Sequence, residues 1–105
     1  MPPCGIIAYC GSTHPMVKTL IGGLKSLEYR GYDSAGVGVS IEGESSLVRV
    51  RAVGKVANLE AKVSPLESRV ALAGIAHTRW ATHGEPSENN CHPHADKDNH
   101  LFVVH

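Results

Sequence analysis

Ala35-Gly36-Val37-Gly38-Val39-Ser40-Ile41 and Leu47-Val48-Arg49-Val50-Arg51-Ala52-Val53, joined around Glu42-Gly43-Glu44-Ser45, decide the fold. Both runs are rich in β-branched residues, and the link is short and turn-forming, so they read as an antiparallel hairpin. Arg49 and Arg51 alternate with Val48 and Val50, which predicts one wet and one buried face. Upstream, Arg30-Gly31-Tyr32-Asp33-Ser34 supplies turn residues and reads as a loop. Before it, Val17, Leu20, Ile21, Leu24 and Leu27 recur at helical spacing and predict an amphipathic helix from about Pro15 to Leu27, with cap candidates at Ser12-Thr13-His14-Pro15. Gly22-Gly23 inside that helix costs about 1 kcal/mol per glycine relative to alanine, so close approach of another backbone is expected there.

Further out, Gly5-Ile6-Ile7-Ala8-Tyr9 is a short apolar run that reads as a buried strand, with Cys4 at its leading end. Downstream of the hairpin, Val56, Leu59 and Val63 predict a short helix over Lys55–Val63 that ends by Pro65. Ala71–Ala76 reads as another buried strand, followed by the polar stretch His77-Thr78-Arg79-Trp80-Ala81-Thr82-His83-Gly84. Glu85 to His100 lacks apolar periodicity and reads as a long surface loop, a kind of segment that is often functional. Leu101-Phe102-Val103-Val104 reads as the start of a strand. The pattern is α+β in one domain.

Of the 105 residues, 42% are hydrophobic and 19% charged, which is the composition of a globular protein and not of a disordered one. Ten basic residues balance ten acidic ones without a basic run, which argues against nucleic acid as a partner. Met1-Pro2-Pro3-Cys4 lacks the features of a signal peptide, and the apolar stretches are too short for a membrane span. Cys4, Cys10 and Cys91 are three in number and irregularly spaced, so a disulfide framework is not expected and a reducing, cytoplasmic setting is.

Two constellations carry chemistry. A thiolate is a strong nucleophile. Free cysteine titrates at about 8.5 and an α-amino group at roughly 7.7–8.0, so a cysteine at a chain's first position carries a matched base on its own backbone. Taken singly, Cys4 reads equally as a small buried hydrophobe. Arg79-Trp80 is the second. A guanidinium takes a carboxylate through two parallel hydrogen bonds, and an indole beside it walls off water, an arrangement suited to a free amino acid. Taken singly, Arg79 reads as a surface ion-pair partner. Thr82, His83 and Gly84 either add donors to such a pocket or shape the loop. Cys91, His92, His94, His100 and His83 invite a zinc reading, but the spacing fits no structural zinc pattern, and no metal is expected.

Cys4-Gly5-Ile6-Ile7, the segment from Leu27 through Tyr29-Arg30-Gly31-Tyr32-Asp33-Ser34 to Gly36, and His77-Thr78-Arg79-Trp80 through Asn89 together resemble the glutaminase domain of the glutamine:fructose-6-phosphate amidotransferase family, within class II glutamine amidotransferases. The resemblance implies an N-terminal-nucleophile hydrolase-like four-layer αββα sandwich, of which residues 1–105 are expected to be about the first half. It implies that Cys4 is the nucleophile that attacks the side-chain amide of L-glutamine, that Arg79 holds the α-carboxylate, and that Trp80, Thr82 and His83 form the pocket with Arg30 beside the nucleophile. No cofactor is implied. Ammonia would pass to a sugar-phosphate isomerase domain, which this chain is expected to lack, to convert fructose 6-phosphate to glucosamine 6-phosphate. The full-length family is expected to include homo-oligomers.

Two departures bear on activity. Met1-Pro2-Pro3 precede Cys4 and leave its nitrogen an amide. The family's Asn-Gly oxyanion donors would fall after His105. Loss of one such donor costs about 2.7–4 kcal/mol in the transition state, so negligible turnover is expected of the 105 residues alone. The competing expectation is an inactive fragment or pseudoenzyme that acts as a binding module.

Overall fold

The computed structural model describes residues 4–11, 15–28, 31–80, 91–98 and 102–104. Strands β1 (Gly5–Cys10), β2 (Ser34–Ile41), β3 (Val48–Val53) and β4 (Ala71–Arg79) form one sheet in the order β1-β4-β2-β3, and every neighbouring pair is antiparallel. Helices α1 (Met16–Ser26) and α2 (Val56–Val63) are the predicted pair, and a short 3-10 turn, Ser64–Leu66, carries the chain past Pro65. Strands β5 (His94–Ala95) and β6 (Phe102–Val103) pair as a separate antiparallel ribbon. The α+β class and the hairpin stand as read.

Strand alternation gives the sheet two unlike faces. Toward the helices point Val37 and Val39 of β2, Ala76 of β4 and Ala52 of β3, all buried. Against them α1 buries Met16, Val17, Leu20, Ile21 and Leu24, and α2 buries Val56, Leu59 and Val63. One continuous apolar core results. Each fully buried Leu or Val contributes about 1.5–3 kcal/mol relative to exposure. The Lys25–Glu60 ion pair between the helices, at 2.9 Å, is exposed on both sides and contributes at most about 1 kcal/mol.

Gly23 and Gly22 depart from the expectation of backbone contact. A side chain at Gly23 would run into the Ile7 side chain of β1, whereas Gly22 is exposed and has nothing within 4 Å of where a Cβ would stand. Gly23 thus fits α1 over a strand side chain, and Gly22 has no packing role among the described residues. The cap candidates Ser12, Thr13 and His14 lie outside the described residues. Pro15 directly precedes α1, and its carbonyl accepts hydrogen bonds from the Thr19 amide at 3.0 Å and the Thr19 hydroxyl at 3.2 Å.

On the second face, Arg49 and Arg51 are not the wet side of β3. They are half-buried because residues 91–95 lie across them as a strap. The Arg49 guanidinium donates to the Pro93 carbonyl at 3.4 Å and that of Arg51 to the Cys91 carbonyl at 3.1 Å. Cys91 and Pro93 are fully buried, so this part of the expected surface loop is sheet-covering chain. Gly36 makes the contact possible, because a Cβ there would occupy the place of the His92 carbonyl. Among the described residues, none covers the other end of this face. An open hollow of about 500 Å³ lies there among Ala8, Cys10, Gly38, Ser40, Ala73 and Ile75.

Candidate functional site

β4 runs beyond Ala76 through His77, Thr78 and Arg79, because β1 and β2 pair with it on both sides as far as that end. Gly5 stands opposite Thr78 in the register, so the residue before Gly5 meets the residues after Thr78. This junction brings Cys4 and Arg79-Trp80 together. The Gly5 amide donates to Thr78 Oγ1 at 3.2 Å, and the Trp80 amide donates to Cys4 Sγ at 3.5 Å. Gly5 has no room for a side chain, since a Cβ would lie 2.8 Å from Thr78 Oγ1 and against Leu27. Cys4 is half-buried.

The loop before β2 closes the junction from the other side. The Asp33 amide donates to the Arg79 carbonyl at 2.8 Å, and the Gly54 amide donates to the Asp33 carbonyl at 2.9 Å. Gly31 adopts φ +81°, a conformation that favours glycine, and a Cβ there would lie 3.3 Å from Trp80 Cζ3. The indole therefore lies over the loop, with 38% of Trp80 exposed. Strand alternation places Arg79 on the same face of the sheet as His77, away from the helices. A thiol with a backbone N–H aimed at its sulfur, beside a half-buried guanidinium and an indole wall, suits nucleophilic attack on a substrate anchored by a carboxylate.

No family model matches the chain. It is 50% identical over 101 residues to the glutamine--fructose-6-phosphate aminotransferase (isomerizing) of Gloeobacter violaceus and 54% identical over 101 residues to that of Thermosynechococcus vestitus, in each case across 96% of this chain. The corresponding protein of Clostridium acetobutylicum is 47% identical over 104 residues. The chain is a relative of these aminotransferases. It spans 16% of the length of each. The likeness covers nearly all of this chain, so the resemblance carried by three segments extends to the sequence between them.

Of the residues assigned from the aminotransferase resemblance, Cys4, Arg79 and Trp80 converge at the β1–β4 junction. Arg30, Thr82 and His83 lie outside the described residues. Among the described residues no three His, Cys, Asp or Glu side chains are grouped as metal ligands would be, and no helix is long and apolar enough to cross a membrane. The hollow at Ala8, Cys10 and Ile75 is at the opposite end of the sheet from Cys4 and lines up with none of these groups.

Three features were not read from sequence. Thr78 holds the first amide of β1. Tyr32 accepts from the Val56 amide at 2.6 Å while donating to Glu28 Oε2 at 2.8 Å, so it stands in for a helix cap at α2, whose preceding Lys55 makes no side-chain cap bond. Burial, followed by the Glu28 hydrogen bond, pushes the Tyr32 hydroxyl up to about 12. The third is a row of imidazoles. His77, fully buried, stacks on His92 with centroids 4.3 Å apart, and His92 lies 4.4 Å from His94. The available signal was Gly36-Val37-Gly38, since glycine within a strand marks close approach on one face.

Proposed function

We infer that this chain carries the nucleophile half of a glutamine-hydrolysing site of the aminotransferase type. The observation that carries the reading is the meeting of Cys4 Sγ with the Trp80 amide, next to Arg79. Arg79 would take the α-carboxylate of glutamine, Trp80 would wall the pocket, and Thr82, His83 and Arg30 would complete it. The thiolate attacks the side-chain amide carbon. The carbon–nitrogen bond then breaks, ammonia leaves with a proton from the general acid, and water cleaves the thioester to glutamate and free thiol. The α-amine of Cys4, once residues 1–3 are removed, would act as that base and acid. The ammonia would serve hexosamine synthesis from fructose 6-phosphate in the cytoplasm, on a sugar-phosphate domain beyond these residues.

A four-layer αββα sandwich of the N-terminal-nucleophile type would put its second sheet on the face opposite the helices, where the strap and the open hollow lie. Residues 1–105 are then part of one glutaminase domain. The test is intact-mass analysis after incubation with the glutamine-analogue electrophile diazo-oxo-norleucine, on the protein isolated from its source and on a form of it beginning at Cys4. One adduct on Cys4, gained or enhanced in the shorter chain, supports the reading. Absence of any adduct on both chains overturns it.

The open hollow favours a second reading, a binding module without turnover that covers this face with another chain. Sedimentation velocity over a range of concentrations tests self-association of this kind. A monomer throughout would sink it.

A further inference from the structure

The sheet register sets a row of side chains across the end of the second face. Ser34 of β2 stands opposite Arg79 of β4 on one side and opposite Val53 of β3 on the other. The β1–β4 register, continued one step past Gly5 and Thr78, sets Cys4 opposite Arg79. Residues two apart in a strand share a face, and Ala8, Cys10, Gly38, Ser40, Ala73 and Ile75 line the hollow on the second face. Cys4, Arg79 and Ser34 fall in the same alternation, so they lie side by side on that face in the order Cys4, Arg79, Ser34.

Ser34 is the anomaly of the row. It is fully buried, and among the described residues its hydroxyl meets no hydrogen-bond partner. A hydroxyl buried in that way forfeits its hydrogen bonds to water, a loss that alanine at the same place would not incur. Folded proteins keep few such groups.

The length of glutamine matches the row. Adjacent strands lie about 4.8 Å apart, so two strand spacings place Ser34 about 9–10 Å from Cys4, with Arg79 between them. A sulfur poised for attack approaches the side-chain amide carbon to about 3–3.5 Å. Four carbon–carbon bonds of about 1.5 Å then carry an extended glutamine about 5 Å further, to its carboxylate carbon. The carboxylate oxygens arrive between Arg79 and Ser34, within hydrogen-bond reach of a hydroxyl there.

We propose that Ser34 is a further substrate-binding residue, whose hydroxyl donates to the amino-acid carboxylate that Arg79 holds. The guanidinium supplies charge and a planar pair of donors. Ser34 adds a donor from the neighbouring strand and fixes how far the carboxylate lies from the sulfur. This inference rests on the reading of Arg79 as a carboxylate clamp.

The test introduces Ser34→Ala into the protein as its source makes it. Thermal melting without ligand is compared with the parent, and so is the rate at which iodoacetamide alkylates Cys4, read by peptide mass at increasing L-glutamate. The substituted protein should melt no lower than the parent, because the hydroxyl it loses has no partner to leave behind. Cys4 should be alkylated at the parent rate without ligand, and about tenfold or more L-glutamate should be needed for equal protection. Failure to fold, or a lower melting temperature, overturns the proposal, since the hydroxyl then already serves the fold. So does unchanged protection by glutamate, or an altered rate without ligand, which would mean that Ser34 acts on the thiol.

Diazo-oxo-norleucine keeps this inference apart from the glutamine reading. If the parent takes the Cys4 adduct and Ser34→Ala changes neither its rate nor the protection, the glutamine reading stands and the role of Ser34 falls. If the parent takes no adduct but glutamate protects Cys4 in a Ser34-dependent way, the nucleophile reading falls and the carboxylate site stands. If glutamate does not protect the parent, the proposal falls whatever the adduct shows.

Discussion

The two faces of the sheet are built on opposite principles. The helix face is covered by two amphipathic helices whose Leu, Ile and Val side chains meet Val37, Val39 and Ala76, and apolar area is its main source of stability. The other face has glycine and arginine where that one has valine, and it is covered partly by a strap held through imidazole stacking and backbone carbonyls. The candidate chemistry lies at the end of this second face. Comparison of the two teaches that a face can be buried by main chain as well as by side chains, and that the first kind of burial leaves titratable groups in place.

Substitutions can break this contrast. The largest effect is expected at Leu20, fully buried between α1 and the sheet, where Leu20→Ala should cost about 2–5 kcal/mol. Urea unfolding checks it, and a cost below that of any second-face substitution would mean that the helix layer is not the main source of stability. Next comes Gly36→Ala, which drives a methyl group into the His92 carbonyl and should cost about 1–3 kcal/mol while making Cys91 reactive. A neutral result would remove the strap from this face.

Smaller effects sharpen the picture. Tyr32→Phe removes the hydroxyl that serves the Val56 amide and should cost about 0.5–2 kcal/mol. The sign of its pH dependence follows from the raised hydroxyl. The folded state prefers the neutral phenol, so this contribution is complete below about 10 and is lost as pH rises toward about 12. Thermal melts of the parent and Tyr32→Phe should therefore converge over that range. Smallest is Gly22→Ala, with open space around it, which should stabilise by roughly 0.4–1 kcal/mol. The opposite signs at Gly36 and Gly22 are the sharpest single expression of the contrast.

The helix face was legible because its information is local. A 3.6-residue period marks α1 and α2, and alternation marks the hairpin, without reference to distant residues. The same alternation misled at Arg49 and Arg51, since it shows that they share a face but not that residues 91–95 come to cover it. At the candidate site, Cys4, Arg79 and Trp80 were singled out from residue chemistry and resemblance. The reach of β4 to Arg79 was missed because polar His77 and Thr78 are strand residues only by virtue of partners on both sides. Tyr32 as a cap was out of reach for a similar reason, its acceptor role being defined by an amide 24 residues away.

The β1–β4 pairing joins Gly5 to Thr78 across 73 residues of chain. Pairings of such separation are slow to form, because the chain between them must close before the contact gives any return. The β2–β3 hairpin can form early on its own, whereas the cysteine seat has to wait for this late closure. The thiol thus meets its amide donor only when the sheet is complete. Trp80, the single tryptophan, stands at that seam, and its fluorescence should follow the slowest step of assembly.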